Sequence, residues 1–258
     1  MVEPNVEMVR RPIRTALLLS ALLSACSSGE GDVPARGPAT KIDPAMAGNV
    51  HGLVTYPGTP PPSTIPKIGD PACAAGSSQG PIGDVVVKDG GVANAFAYVA
   101  AGLESYVFEI PKDPVVVDQR GCLYVSPRTR GHVFGAETGQ EIRFLNSDPT
   151  LHNVHIDPKN SPAANFGMGV QGAKRSVRIP KAEVMVNVRC DVHPWMHAYL
   201  GVVDHPHFAV TGDDGGFEFT GVPAGHYTIE VWHERFGTKR QVIDVVPRQT
   251  AEVKVVYP

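Results

Sequence analysis

The apolar residues of this chain fall in short runs separated by glycine and proline, a pattern that predicts strands rather than helices. Such runs occupy 50–56, 84–88, 93–100, 115–118, 131–135, 141–146, 152–156, 174–179, 184–190 and 199–204. Several alternate: Val184, Val186 and Val188 would face one side, and Met185, Asn187 and Arg189 the other. A second rhythm starts after Asp204. Runs at 208–211, 217–220, 227–232, 241–246 and 252–257 are punctuated by Gly212-Asp213-Asp214-Gly215-Gly216 and Val222-Pro223-Ala224-Gly225, both turn sequences. The expected fold class is all-β, with a larger sandwich over 48–204 and a small one over 205–258. At 258 residues, 42% of them hydrophobic, the chain is long enough for two small cores.

The N-terminus departs from this pattern. Arg10-Arg11-Pro12-Ile13-Arg14 precedes an apolar stretch at 15–23 that is too short to span a bilayer. It ends in Leu23-Ser24-Ala25-Cys26, which resembles a bacterial lipobox. That resemblance implies a signal peptide over 1–25, a lipid on Cys26 and attachment to a membrane through it. The Ser/Gly/Pro-rich segment that follows reads as a flexible tether over 26–47. The bland alternative is an ordinary signal peptide with a coincidental cysteine, or a buried helix. Export places the protein in the cell envelope, periplasm-facing or surface-exposed, where disulfides persist. Ser27 carries no acidic retention signal, which favours the outer membrane. A net charge of −3 argues against nucleic acid as a partner.

The chemistry concentrates in Arg189-Cys190-Asp191-Val192-His193-Pro194-Trp195-Met196. A strand delivers the cysteine, and Pro194 favours a tight loop in which thiolate, imidazole and thioether converge. That soft donor set suits copper better than zinc, calcium or magnesium. Leu151-His152-Asn153-Val154-His155, at the entry of another strand, can supply a second imidazole. The two segments resemble the blue-copper cupredoxins of the amicyanin and plastocyanin type, whose Greek-key β-sandwich is the fold expected for 48–204. The resemblance implies one type 1 copper held by His152, Cys190, His193 and Met196. It also implies that Asn153 braces the ligand loop near the sulfur and that His193 lies near the surface as an electron port. His197 and His155 compete with Met196 as the remaining ligand, and Met168 is a further candidate. The stretch from Asp214 to Val231, with Gly215-Gly216-Phe217-Glu218-Phe219 and Val222-Pro223-Ala224-Gly225, resembles the carboxypeptidase regulatory-like domains, which are generally non-catalytic scaffolds.

Cys73 and Cys122 both follow turn residues, and in an exported protein they are expected to pair; the alternative makes one of them a second metal ligand. A bond from Cys190 to either would remove the copper reading. His205-Pro206-His207 could be a metal pair, although two histidines around a proline are more often hydrogen-bonded. Trp195 could shield the copper or form part of a docking surface. The function expected is one-electron transfer with a redox partner such as a cytochrome or a membrane oxidoreductase. A copper-binding or resistance lipoprotein without a redox circuit, and an adhesion module stapled by metal, are the rivals. No nucleophile with its base and no second copper cluster points to an enzyme.

Overall fold

The computed structural model describes residues 1, 35–65, 67–74, 83–126 and 131–258. The leader and Cys26 lie outside the described residues. After a 3-10 turn at Pro44–Met46, capped by the Asp43 side chain, come β1 (Ala47–Thr55), a short helix at Pro71–Ala74, β2 (Val87–Lys88), β3 (Gly91–Val92) and β4 (Phe96–Ala101). A second group follows: β5 (Val115–Gln119), β6 (Tyr124–Val125), β7 (Val133–Glu137), β8 (Ile142–Asn146), β9 (His152–Ile156), β10 (Ala164–Met168), β11 (Lys174–Val177), β12 (Glu183–Arg189) and β13 (His197–Val203). The chain closes with β14 (Phe208–Val210), β15 (Gly216–Pro223), β16 (Gly225–His233), β17 (Gly237–Val245) and β18 (Thr250–Val256).

The fold is all-β and holds two sandwiches, but they do not follow one another along the chain. β1 lies between β15 and β18, antiparallel to the first and parallel to the second, while β4 lies between β14 and β16. β1 and β4 are therefore central members of the sandwich expected from 205–258 alone, and β3 and β2 extend one of its sheets. The physical reason is burial. Val50, Val54, Ala97 and Val99 fill one core with Phe217, Phe219, Ile229, Val253 and Tyr257, apolar surface that the C-terminal strands alone would leave uncovered. The other sandwich, β5 to β13, is inserted between β4 and β14. Its sheets run β10-β9-β12-β13-β7 and β11-β8-β5-β6, around a core that includes Phe144, Ile156, Val186, Val188 and Leu200.

The tether expected over 26–47 ends earlier than that range. Arg36 donates to the carbonyls of Phe108, Thr138 and Asp204 and pairs with Glu137, and Thr40 exchanges hydrogen bonds with Val107. The strand of β12 also differs from its simple alternation. A register shift between Glu183 and Val186 turns Val184 out of the core row, and it packs beside Met185 in the seam between the sandwiches. That seam is built from Phe96, Val133 and Val203 with Tyr199, Phe208 and Trp232 around them. Gly135 and Gly201 make the approach possible: a Cβ at either would lie within 3.0 Å of the Phe208 or Phe96 ring.

Among the described residues, three histidines are buried with an unpartnered ring nitrogen, His205, His207 and His233, and the last two are the deepest, 4% and 1% exposed. Burial pushes these last two rings down, to about 4 from 6.5. The unfolded chain binds protons that these folded rings refuse. Stability is thus complete above pH 6.5 and falls as the pH drops from 6.5 toward 4, by up to about 3 kcal/mol per ring. Urea unfolding between pH 7 and pH 4 should show this slope, and His207→Leu should flatten it; an unchanged slope in the variant contradicts the assignment.

Candidate metal centre

Three donor atoms from two distant segments meet between β9 and the β12–β13 turn. His152 enters on β9, and Cys190 and His193 on the turn. The Nδ1 atoms of His152 and His193 are 3.1 Å apart, and the Cys190 Sγ is 3.8 Å from the His193 Nδ1. Nitrogens ~2.0 Å and a sulfur ~2.3 Å from one ion have separations of this size. All three side chains are buried, none more than 3% exposed. The turn is closed by its own backbone: the Cys190 N–H donates to the Met196 carbonyl and the Met196 N–H to the His193 carbonyl. Met196 is fully buried in the core that also holds Cys190. A soft thiolate with two imidazoles fits copper by donor chemistry.

Polar groups this deep need partners. The other nitrogen of His152, Nε2, meets Asp148 Oδ2 at 2.8 Å. The Asp148 carboxylate is itself buried and accepts from the N–H groups of Gly121 and Cys122 at 2.7 and 2.8 Å. Burial alone would raise the Cys190 thiol. Hydrogen bonds from His152 and from the backbone of Asn153, His193 and Val192 outweigh it and bring the thiol down to about 6. Burial would likewise lower His152, but Asp148 and Cys190 carry it up to about 9. These contacts favour the thiolate, the form that ligates.

Asn153 sits across the loop. Its Oδ1 accepts from the Asp191 N–H at 3.1 Å, and its Nδ2 donates to Asn165 Oδ1 at 2.6 Å. The hydrogen bond to the sulfur comes from the Asn153 backbone N–H, at 3.4 Å, rather than from its side chain. Trp195 ties the loop to the opposite wall by donating to the Cys122 carbonyl at 3.2 Å.

The sulfurs of Cys73 and Cys122 are bonded to each other, and Cys190 is free. This bond changes the expected surface. His193 is only 3% exposed, because the segment carrying Asp70 and Cys73 lies over it. Its Nε2 is 3.4 Å from Asp70 Oδ2 and 3.9 Å from Cys73 Sγ. An exposed electron port at His193 is therefore corrected: the disulfide pins a cap on that ring.

The competing ligands are occupied elsewhere. His155 lies on the outer side of β9, where Asp191 meets its Nδ1 at 2.8 Å and Arg189 its Nε2 at 2.9 Å. Met168 is buried opposite His152, and its sulfur accepts from Gln119 Nε2 at 2.8 Å. His197 points to the other side of the sheet, toward His132 and Glu234. His205 meets the Val99 carbonyl at 2.8 Å, and neither it nor His207 joins a group of three donors among the described residues. Asp148 and Asp70 were missed by sequence reasoning. The only sequence signal was that Asp148 stands four residues before His152, inside what reads as an ordinary turn.

Comparison with known proteins adds a domain. A carboxypeptidase regulatory-like domain model matches residues 177–257, a span that starts in β11, inside the inserted sandwich. No curated protein matches the chain. Among solved structures the chain is similar to a Cu(I) form of a mutant amicyanin, at 20% identity over 41% of this chain and 97% of that one, with a TM-score of 0.30. A reduced form of another amicyanin mutant has a TM-score of 0.29 at the same identity and coverage. A copper-containing nitrite reductase from Thermus scotoductus SA-01 is 18% identical over 42% of this chain and 25% of its own, with a TM-score of 0.30.

The buried Asp148 carboxylate yields a prediction that involves no metal. Asp148→Asn places an amide where three N–H groups converge, so it should cost about 3 kcal/mol of stability in the metal-free protein. Urea unfolding checks this; a loss below about 1 kcal/mol would mean the carboxylate does not hold these groups.

Proposed function

We propose that this protein is a one-electron carrier of the cell envelope, holding a single type 1 copper with His152, Cys190, His193 and Met196. The observation that carries the reading is the meeting of two imidazole Nδ1 atoms and one cysteine sulfur in a buried pocket. Copper bound there would supply a one-electron couple between Cu(I) and Cu(II). The residues around it keep the site still. Asp148 fixes the His152 ring through its Nε2, Asn153 holds the loop at Asp191, and Trp195 holds it at Cys122. A site braced on every side reorganises little when charge changes. The lipid on Cys26 and the tether that follows it would keep the carrier beside membrane-bound redox partners. The carboxypeptidase regulatory-like sandwich serves as scaffold, and no catalytic role is assigned to either unit.

A second reading, copper binding without a redox circuit, draws support from the cap over His193. An imidazole covered by Asp70 and a disulfide offers a longer path to a partner than an exposed one. Electron exchange with a cytochrome separates the two: a carrier exchanges readily, and a sequestering protein exchanges slowly.

Adding one equivalent of Cu(II) to the mature protein should give an intense visible band from thiolate-to-copper charge transfer. Cys190→Ser should abolish the band, and Asp148→Asn should weaken copper binding by about 10–100-fold while keeping it. A band that persists in Cys190→Ser, or none in the parent protein, overturns the reading.

A further inference from the structure

A second group of donors lies in the seam between the sandwiches and uses none of the residues of the first. His132 precedes β7, His197 opens β13, and Glu234 follows β16, so the group draws on both sandwiches. Glu234 reaches each histidine with a different oxygen: Oε1 is 2.5 Å from the His132 Nε2, and Oε2 is 3.7 Å from the His197 Nε2. One ring nitrogen from each histidine and a carboxylate oxygen lie within 4.8 Å of one another. The side chains of His132 and Glu234 are 11% and 9% exposed, that of His197 40%.

The hydrogen bonding at His197 is telling. Its Nδ1 faces the Trp195 carbonyl at 3.3 Å. A carbonyl only accepts, so the ring's proton belongs on Nδ1. A ring with its single proton there turns the Nε2 lone pair toward a carboxylate oxygen. Two acceptors facing each other require a cation between them, either a proton or a metal ion. A carbonyl fixing one nitrogen of a histidine while the other points at a metal is the usual arrangement of ligating imidazoles. A cavity of about 460 Å³ opens beside the group, walled by Pro194, Trp195, Thr64, Asp84 and Arg235. It leaves space for water or a small ligand to complete a coordination shell.

We propose that His132, His197 and Glu234 form a second metal site, for a divalent first-row transition ion bound by two imidazoles and one carboxylate with open positions toward the cavity. The site bridges the two sandwiches, so the ion would fasten the inserted unit to its host. It stands beside the ligand loop, one residue past Met196, yet rests on different donors and does not depend on the copper reading.

The test is zinc binding to the full mature chain, measured by calorimetry after one equivalent of Cu(I) has been added anaerobically. One further equivalent of zinc is expected to bind. Glu234→Gln and His197→Asn should each weaken that step by about 100-fold or more. Because the His197 side chain is partly exposed, its variant keeps the test usable if Glu234→Gln fails to fold. If the chain takes up no Cu(I), zinc is titrated directly, and the variants should lose one equivalent relative to the parent. Absence of this zinc step, or a step unchanged in folded variants, overturns the proposal. So does zinc uptake that is lost only in Cys190→Ser.

Discussion

The candidate centre depends on a buried carboxylate. Asp148 holds the backbone N–H groups of Gly121 and Cys122 on one side and the His152 ring on the other. It therefore joins the loop that carries one half of the disulfide to the strand that carries the first imidazole. A carboxylate this deep would be costly without partners. Here every contact is a hydrogen bond that fixes a neighbour. The disulfide extends the same frame from Cys122 to Cys73, and from there over His193. Trp195 closes it by donating to the Cys122 carbonyl. The donors are thus placed by a ring of restraints made of the protein's own hydrogen bonds and its disulfide.

This frame also explains why the pocket is closed. An imidazole at the rim of a β-sandwich would ordinarily face water, but the helix at Pro71–Ala74 is pinned over it by a sulfur–sulfur bond. Enclosure lowers the local dielectric and strengthens each electrostatic contact inside. It also separates the donors from solvent ligands. The two sandwiches meet on a different face, where glycines at 135 and 201 let aromatic rings press against the sheet. The inserted unit is consequently seated on its host rather than hung from it.

What could be read from the chain was local. Cys190, His193 and Met196 lie within one turn, so their spacing is a direct statement about that turn, and His152 stands at a strand entry that the apolar pattern of 152–156 marks. The insertion could not be read, because β1 pairs with β18 some 200 positions later and strand pairing at that distance leaves no local signal. β10 was missed although Ala164, Phe166 and Met168 alternate with Asn165 and Gly167, because Asn and Gly are poor strand formers, and it pairs with β9 alone. The roles of His155 and His197 were open in sequence because both neighbour a ligand. Strand geometry separates them, since Asp191 and Glu234 claim them on other faces. Asp70 and Glu234 act through tertiary contacts alone, and Asp148 adds tertiary contacts at Gly121 and Cys122 to its local one at His152.

The most direct test of the account is X-ray absorption at the copper edge of the protein loaded with one equivalent. The account predicts a single short sulfur ligand at about 2.1–2.3 Å and two imidazole nitrogens near 2.0 Å. A shell of nitrogen and oxygen with no sulfur would show that Cys190 does not meet His152 and His193 around one ion, and would contradict it.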